Sequence, residues 1–240
     1  MNSEELTPPK HIGIIIDGNR RRAKQHWLTT FEGHYKGVLA VEDVMEAAQK
    51  RGIPTLSIYG FSTENRKREG EEIEGLMKIF SEILEKLLYK VIQGKNIKIN
   101  ILGDKERFSE SLQALMQKVE SASDQNTQYT LNLCLSYGGR NEIVQACKNI
   151  LKDTQSGKIV EEEISEDLFN SYLYTQGQSY PDLIIRTSGE QRLSNFLTWQ
   201  SAYSELIFLD TLWPDFSTTE LEKIIQDFTG IERRFGGLKW

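Results

Sequence analysis

The stretch His11-Ile12-Gly13-Ile14-Ile15-Ile16-Asp17-Gly18-Asn19-Arg20-Arg21-Arg22 decides the fold. An apolar run reads as a buried strand. It ends on a carboxylate and a glycine turn, and three arginines then open a polar, helix-compatible run. Free N–H groups and the dipole at a helix N-terminus favour an anion, usually phosphate. Arginines add fixed charge and forked donors that match phosphate oxygens. A carboxylate at the centre of that positive site makes sense as the holder of a divalent metal that the phosphate also binds. The same residues also fit a plain helix N-cap followed by a solvated basic turn.

Outward from this stretch, short apolar runs alternate with helical ones. Strands are expected near Ile12–Ile16, Thr55–Tyr59, Ile97–Leu102, Tyr129–Leu135, Leu183–Ile185 and Leu206–Leu209. Helices are expected near Gly37–Lys50, Glu71–Ile92, Glu106–Asp124, Arg140–Lys152, Glu166–Leu173 and Thr218–Arg234. That alternation predicts an α/β fold with a mainly parallel central sheet of about six strands covered by helices. No composition break splits residues 1–240, so a single domain is expected, with residues 1–10 as a polar N-terminal extension.

The ends of four strands are alike. They carry Asp17-Gly18-Asn19-Arg20-Arg21, Ser62-Thr63-Glu64-Asn65-Arg66-Lys67-Arg68, Tyr137-Gly138-Gly139-Arg140, and Arg186 through Ser194. In open parallel sheets ligands bind beyond the carboxyl ends of the strands. One arginine cluster is usually a solvated face. Four at one sheet edge point to a multiply charged anion, such as a diphosphate with a divalent metal. The helix expected from Glu71 to Ile92 places Ile73, Leu76, Met77, Phe80, Ile83, Leu84, Leu87, Leu88 and Val91 at helical spacing on one face. Core packing accounts for that stripe, and so does the wall of an apolar tunnel.

Composition narrows the class. The net charge of −6 disfavours general nucleic-acid binding. Cys134 and Cys147 have no metal-ligand spacing and suggest a reducing compartment. No run approaches the roughly 18 apolar residues of a membrane span. A cytoplasmic protein is expected, with contact at a membrane surface left open.

The chain resembles the cis-prenyltransferases, the family of undecaprenyl and dehydrodolichyl diphosphate synthases. The resemblance rests on His11 to Arg21, Glu32-Gly33-His34, Phe61 to Asn65, Tyr137-Gly138-Gly139-Arg140 and Asp182 to Glu190. It continues through Arg192, Ser194 to Phe196, Trp199-Gln200, Glu205, Trp213-Pro214-Asp215-Phe216 and Glu232 to Gly237. It implies a homodimer with a hydrophobic tunnel. The reaction it implies is head-to-tail condensation of isopentenyl diphosphate onto an allylic diphosphate such as farnesyl diphosphate, with each new double bond cis. The product would be a polyprenyl diphosphate such as the undecaprenyl lipid carrier. A short-chain synthase of specialised metabolism and a non-catalytic partner subunit are the alternatives.

By the same resemblance, Asp17 holds Mg²⁺ and Glu205 is a second metal-associated carboxylate. Asp17 and Asn65 are the expected catalytic residues. Gly18, Asn19, Arg20, Arg21 and His34 belong with the allylic diphosphate. Ser62, Asn65, Arg68, Arg186, Arg192 and Ser194 bind or position isopentenyl diphosphate and the reacting groups, and Thr63, Glu64, Arg66 and Leu193 belong to the substrate-binding set. Arg234-Phe235-Gly236 would complete the neighbouring subunit's site, and product release would bring peripheral membrane contact. Three positions depart from the family pattern: Arg22 and Arg66 replace aromatic residues, and Thr30 replaces an arginine that grips the allylic diphosphate. Arg22 is the expected replacement for that lost cation, and Arg66 the second candidate.

Overall fold

All five residues of β1 (His11–Ile15) are buried. A strand covered on both faces has no solvent side to alternate with, which is why the run is nearly continuous in apolar residues. The computed structural model describes residues 7–67 and 70–231, without the side chains of Arg66 and Lys67. β1 pairs in parallel with β2 (Thr55–Ser62) on one side and with β5 (Leu183–Arg186) on the other. β3 (Ile97–Leu102), β4 (Tyr129–Tyr137) and β6 (Glu205–Phe208) complete a six-stranded parallel sheet in the order β3-β4-β2-β1-β5-β6. The strand order reverses at β1. The crevice beyond its carboxyl end, between β2 and β5, is where such sheets bind ligands.

The helices are α1 (Asn19–Gln25), α2 (Thr30–Lys50), α3 (Gly70–Ile92), α4 (Glu110–Ser123), α5 (Gly139–Gln155), α6 (Glu166–Ser171) and α7 (Thr218–Thr229). The main core packs α2, α3, α4 and α7 on one sheet face. A smaller cluster around Tyr59, Tyr137 and Phe196 lies on the other. Among the described residues no helix is long and apolar enough to cross a membrane.

Several boundaries differ from the sequence reading. α2 starts at Thr30 rather than Gly37, because Thr29 and Glu32 form a reciprocal capping box. Gly33 and Gly37 lower helix propensity, but both are sites of close approach. A Cβ on Gly37 would lie 2.4 Å from Asn19 Oδ1, and one on Gly33 2.6 Å from Asn19 O. Tertiary packing of α1 on α2 overrides the propensity. α4 starts at Glu110, capped by Ser109, and Lys105–Arg107 form a separate 3-10 turn. α7 ends at Thr229. Residues 232–234 of the longer helix expected there lie outside the described residues.

Candidate active site

Asp17 stands two residues beyond the end of β1, after Ile16. Its backbone N–H bonds to Ile15 O and Thr187 Oγ1, each at 3.0 Å, and its carbonyl accepts from Thr187 Oγ1 and from Trp213 N. The carboxylate meets Arg186 Nη2 at 2.9 Å and Arg21 Nη2 at 3.6 Å. Burial alone would raise the carboxyl. Hydrogen bonds from Arg186 and Ser188, with the Arg186 and Arg21 charges, hold it below the usual carboxylate range. Asp17 is therefore an ionised group, one third exposed at the cleft.

Arg186 ends β5, nearly buried. Its Nη1 donates to Ser194 Oγ at 2.7 Å and to the Arg192 carbonyl, while its Nε has no hydrogen-bond partner among the described residues. The loop after it is bent sharply: Ser188, Ser194, Asn195 and Leu197 all have positive φ. Left-handed backbone costs a non-glycine residue about 1–3 kcal/mol, so the surroundings must hold it. Tyr59 Oη donates to Ser194 O and Tyr137 O. Burial pushes the Tyr59 phenol up, so it stays a donor. At the end of β2, Ser62 and Asn65 bond each other's backbone N–H groups reciprocally.

Across the crevice, Gly18 takes φ 116 and turns the chain into α1, with Leu212 against it. α1 carries Arg20 and Arg21 at its N-terminus. Arg20 lies 3.8 Å from Glu72 of α3, and His34 Nε2 is 3.2 Å from the same carboxylate. Together these elements line a cleft of about 820 Å³ that includes Asp17, Asn19, Arg20, Arg21, Thr30, His34, Ser62, Asn65, Arg186 and Ser194. Next to it lies an apolar tunnel of about 70 Å³ between α2, α3 and the sheet. Ile16, Asn19, His34 and Gly60 line both.

Several expected residues stand elsewhere. Arg22 turns away from the cleft, its Nε 2.8 Å from Asp215 Oδ1, because the 3-10 turn Trp213–Asp215 sets that carboxylate beside α1. The sheet register places Glu205 opposite Leu183, and Leu183 opposite Ile12. Glu205 is thus at the amino end of the sheet, while Asp17 is at the carboxyl end, so one chain does not bring the two carboxylates together. Arg192 lies on Glu190, and only its carbonyl reaches Arg186. Leu193 packs against the smaller core cluster. Glu64 accepts from Asn195 Nδ2, and Thr63 packs on Gly138, so both tie loops together. Arg68, the side chain of Arg66 and Arg234-Phe235-Gly236 lie outside the described residues. Sequence reading gave no individual site role to Glu72, Tyr59, Ser188 or Asp215, although Ser188 stood in the strand end from Arg186 to Ser194 and Asp215 in a family motif. Glu72 had a local signal, as an acid in the first turn of a helix.

The family model described as undecaprenyl diphosphate synthase matches residues 15–236. An isoprenyl transferase from Clostridium perfringens is 46% identical over 232 residues, covering 96% of this chain and 91% of that protein. A farnesyl-diphosphate-specific ditrans,polycis-undecaprenyl-diphosphate synthase from Pasteurella multocida is 44% identical, covering 97% and 98%. The crystal structure of lavandulyl diphosphate synthase from Lavandula x intermedia, in complex with dimethylallyl diphosphate, superposes with a TM-score of 0.91 at 35% identity. It covers 97% of this chain and 100% of that one. This chain belongs to the undecaprenyl diphosphate synthase family of prenyltransferases.

Proposed function

We propose that this protein extends an allylic diphosphate, with farnesyl diphosphate as primer, by head-to-tail addition of isopentenyl diphosphate in cis geometry. The observation that carries this reading is the polar cleft opening into an apolar tunnel through shared wall residues. The allylic diphosphate would sit at the N-terminus of α1, on Arg20, Arg21 and the turn N–H groups. Asn19 stands where the head gives way to the tail. Negative charge that develops on the departing diphosphate meets these preorganised donors. Isopentenyl diphosphate would take Ser62, Asn65, Ser194 and the unpartnered Nε of Arg186, which fixes its double bond against the allylic carbon.

Mg²⁺ fits the donor set. It is usually held by one or two carboxylates with substrate phosphates and waters, and Asp17 is one ionised carboxylate facing the cleft. When bound there it would neutralise charge on the diphosphates. A homodimer in which Arg234-Phe235-Gly236 serves the neighbouring site belongs to the same proposal. So does a cytoplasmic location with peripheral membrane contact on release.

A short-chain product is the second reading, favoured by the small free volume of the tunnel. The experiment is incubation of purified protein with labelled isopentenyl diphosphate, Mg²⁺ and, in turn, dimethylallyl, geranyl, farnesyl and geranylgeranyl diphosphates. Elongated cis products from farnesyl diphosphate support the proposal. No product from any primer overturns it.

A further inference from the structure

Tyr59 lies beneath the isopentenyl half of the proposed site. Its neighbours on β2, Ile58 and Gly60, line the apolar tunnel, so Tyr59 leaves the sheet by the opposite face. There its ring stacks on Phe196, with centroids 4.7 Å apart, and meets Tyr137 edge-on at 5.9 Å. Two aromatic neighbours hold this buried ring in one place. The side chain also reaches the wall of the cleft.

The Tyr59 hydroxyl sits at a junction. It is shared between Ser194 O at 3.2 Å and Tyr137 O at 3.3 Å, and the Ser62 side chain hydrogen-bonds to it. Ser194 has left-handed backbone, φ 49, which a serine keeps only where its surroundings impose it. Its Oγ accepts from Arg186 Nη1 at 2.7 Å. Ser62 Oγ accepts from Asn65 N at 3.2 Å. One phenol therefore ties the end of β2 to the loop after β5. Ser62, Asn65, Arg186 and Ser194 all come from those two elements, whereas the allylic donors Arg20 and Arg21 come from α1. We propose that Tyr59 is a positioning residue for isopentenyl diphosphate. Its hydroxyl fixes Ser62 and Ser194 relative to each other, and Ser194 Oγ in turn aims Arg186. The proposal rests on the prenyl-transfer reading above.

Tyr59→Phe keeps the ring and its stacking and removes only the hydroxyl. Steady-state rates with farnesyl and isopentenyl diphosphates, beside thermal melts, test the proposal. The isopentenyl diphosphate KM should rise on the order of tenfold, while the farnesyl diphosphate KM stays within about twofold. Tyr137→Phe makes the same chemical change next door, where the hydroxyl donates to Glu142. It should leave both KM values near wild type. An unchanged isopentenyl diphosphate KM in Tyr59→Phe overturns the proposal. So do equal rises in both KM values, or the same response from Tyr137→Phe, because each marks a merely structural role. If Tyr59→Phe melts below the assay temperature, both KM values are measured at a lower temperature with wild type beside it, and the same criteria decide. Failure of the prenyl-transfer reading looks different: the wild-type protein would then make no prenyl product, and the positioning role falls with it.

Discussion

Arg186 reaches across from the neighbouring strand to Asp17, its Nη2 2.9 Å from Asp17 Oδ2, and the arginine is nearly buried while the aspartate is one third exposed. The pair presents the carboxylate to the cleft and keeps it ionised. Asp17→Ala should fold, since Arg186 retains Ser194 Oγ and the Arg192 carbonyl. Turnover should fall on the order of 10³-fold or more. Steady-state rates beside a thermal melt check this; near wild-type turnover would remove Asp17 from the chemistry.

Arg22 was expected to replace the family arginine lost at Thr30. Its place on Asp215 reverses the forecast. Arg22→Ala should leave the allylic KM nearly unchanged and cost about 1 kcal/mol of stability or less, because water screens the partly exposed pair with Asp215. Thr30 lines the cleft, so Thr30→Arg should tighten allylic binding about tenfold to a hundredfold. A large rise in allylic KM for Arg22→Ala that Thr30→Arg rescues would restore direct compensation.

His11 gives the fold a pH dependence. It is fully buried, with Nδ1 2.7 Å from Ser179 O and Nε2 2.7 Å from Ser57 Oγ. Burial lowers its pKa to about 4, against which the Ser179 bond and the Asp182 charge act only partly. The folded state refuses a proton that the unfolded state accepts below about 6.5. Stability should therefore fall as pH drops from about 6.5 to about 4, by roughly 2 kcal/mol between pH 7 and pH 5. Urea unfolding at the two pH values measures this. His11→Asn should flatten that part of the dependence, and an equal slope in the variant would assign it elsewhere.

Leu135 and Tyr129 share the tunnel side of β4, but only Leu135 lines the tunnel cavity. Tyr129 also lines an outer cleft with Gln49, Gly52 and Lys95, and its buried hydroxyl has no hydrogen-bond partner among the described residues. Leu135 stands beside Gly60 at the cleft end of the tunnel, so Leu135→Ala should weaken primer binding while products keep their length. Tyr129→Phe should also keep their length and raise stability by about 1 kcal/mol, because an unsatisfied buried hydroxyl is removed. The allylic KM and product sizing with a melt check both.

What could be read in the chain was whatever physics writes locally. A strand run, a glycine turn and arginines lie within twelve residues at Asp17, so the site and its sheet edge were visible. The start of α2 was not, because Gly33 and Gly37 look like helix breakers until Asn19 packs against them. Arg22 and Asp215 are 193 positions apart, and nothing local marks either as the other's partner. Glu205 was placed by family pattern, and only strand register reveals which end of the sheet it occupies.

The strand order carries a consequence for biosynthesis. β1 is the first strand to leave the ribosome and lies inside the finished sheet, yet its second neighbour, β5, begins only at Leu183. Through most of translation one edge of β1 stands unpaired, and it is apolar. Such edges recruit other strands, and pairings this distant in sequence form slowly. Production of this enzyme should accordingly respond to chaperone supply and to the pace of translation between residues 60 and 183, independently of how stable the finished fold is.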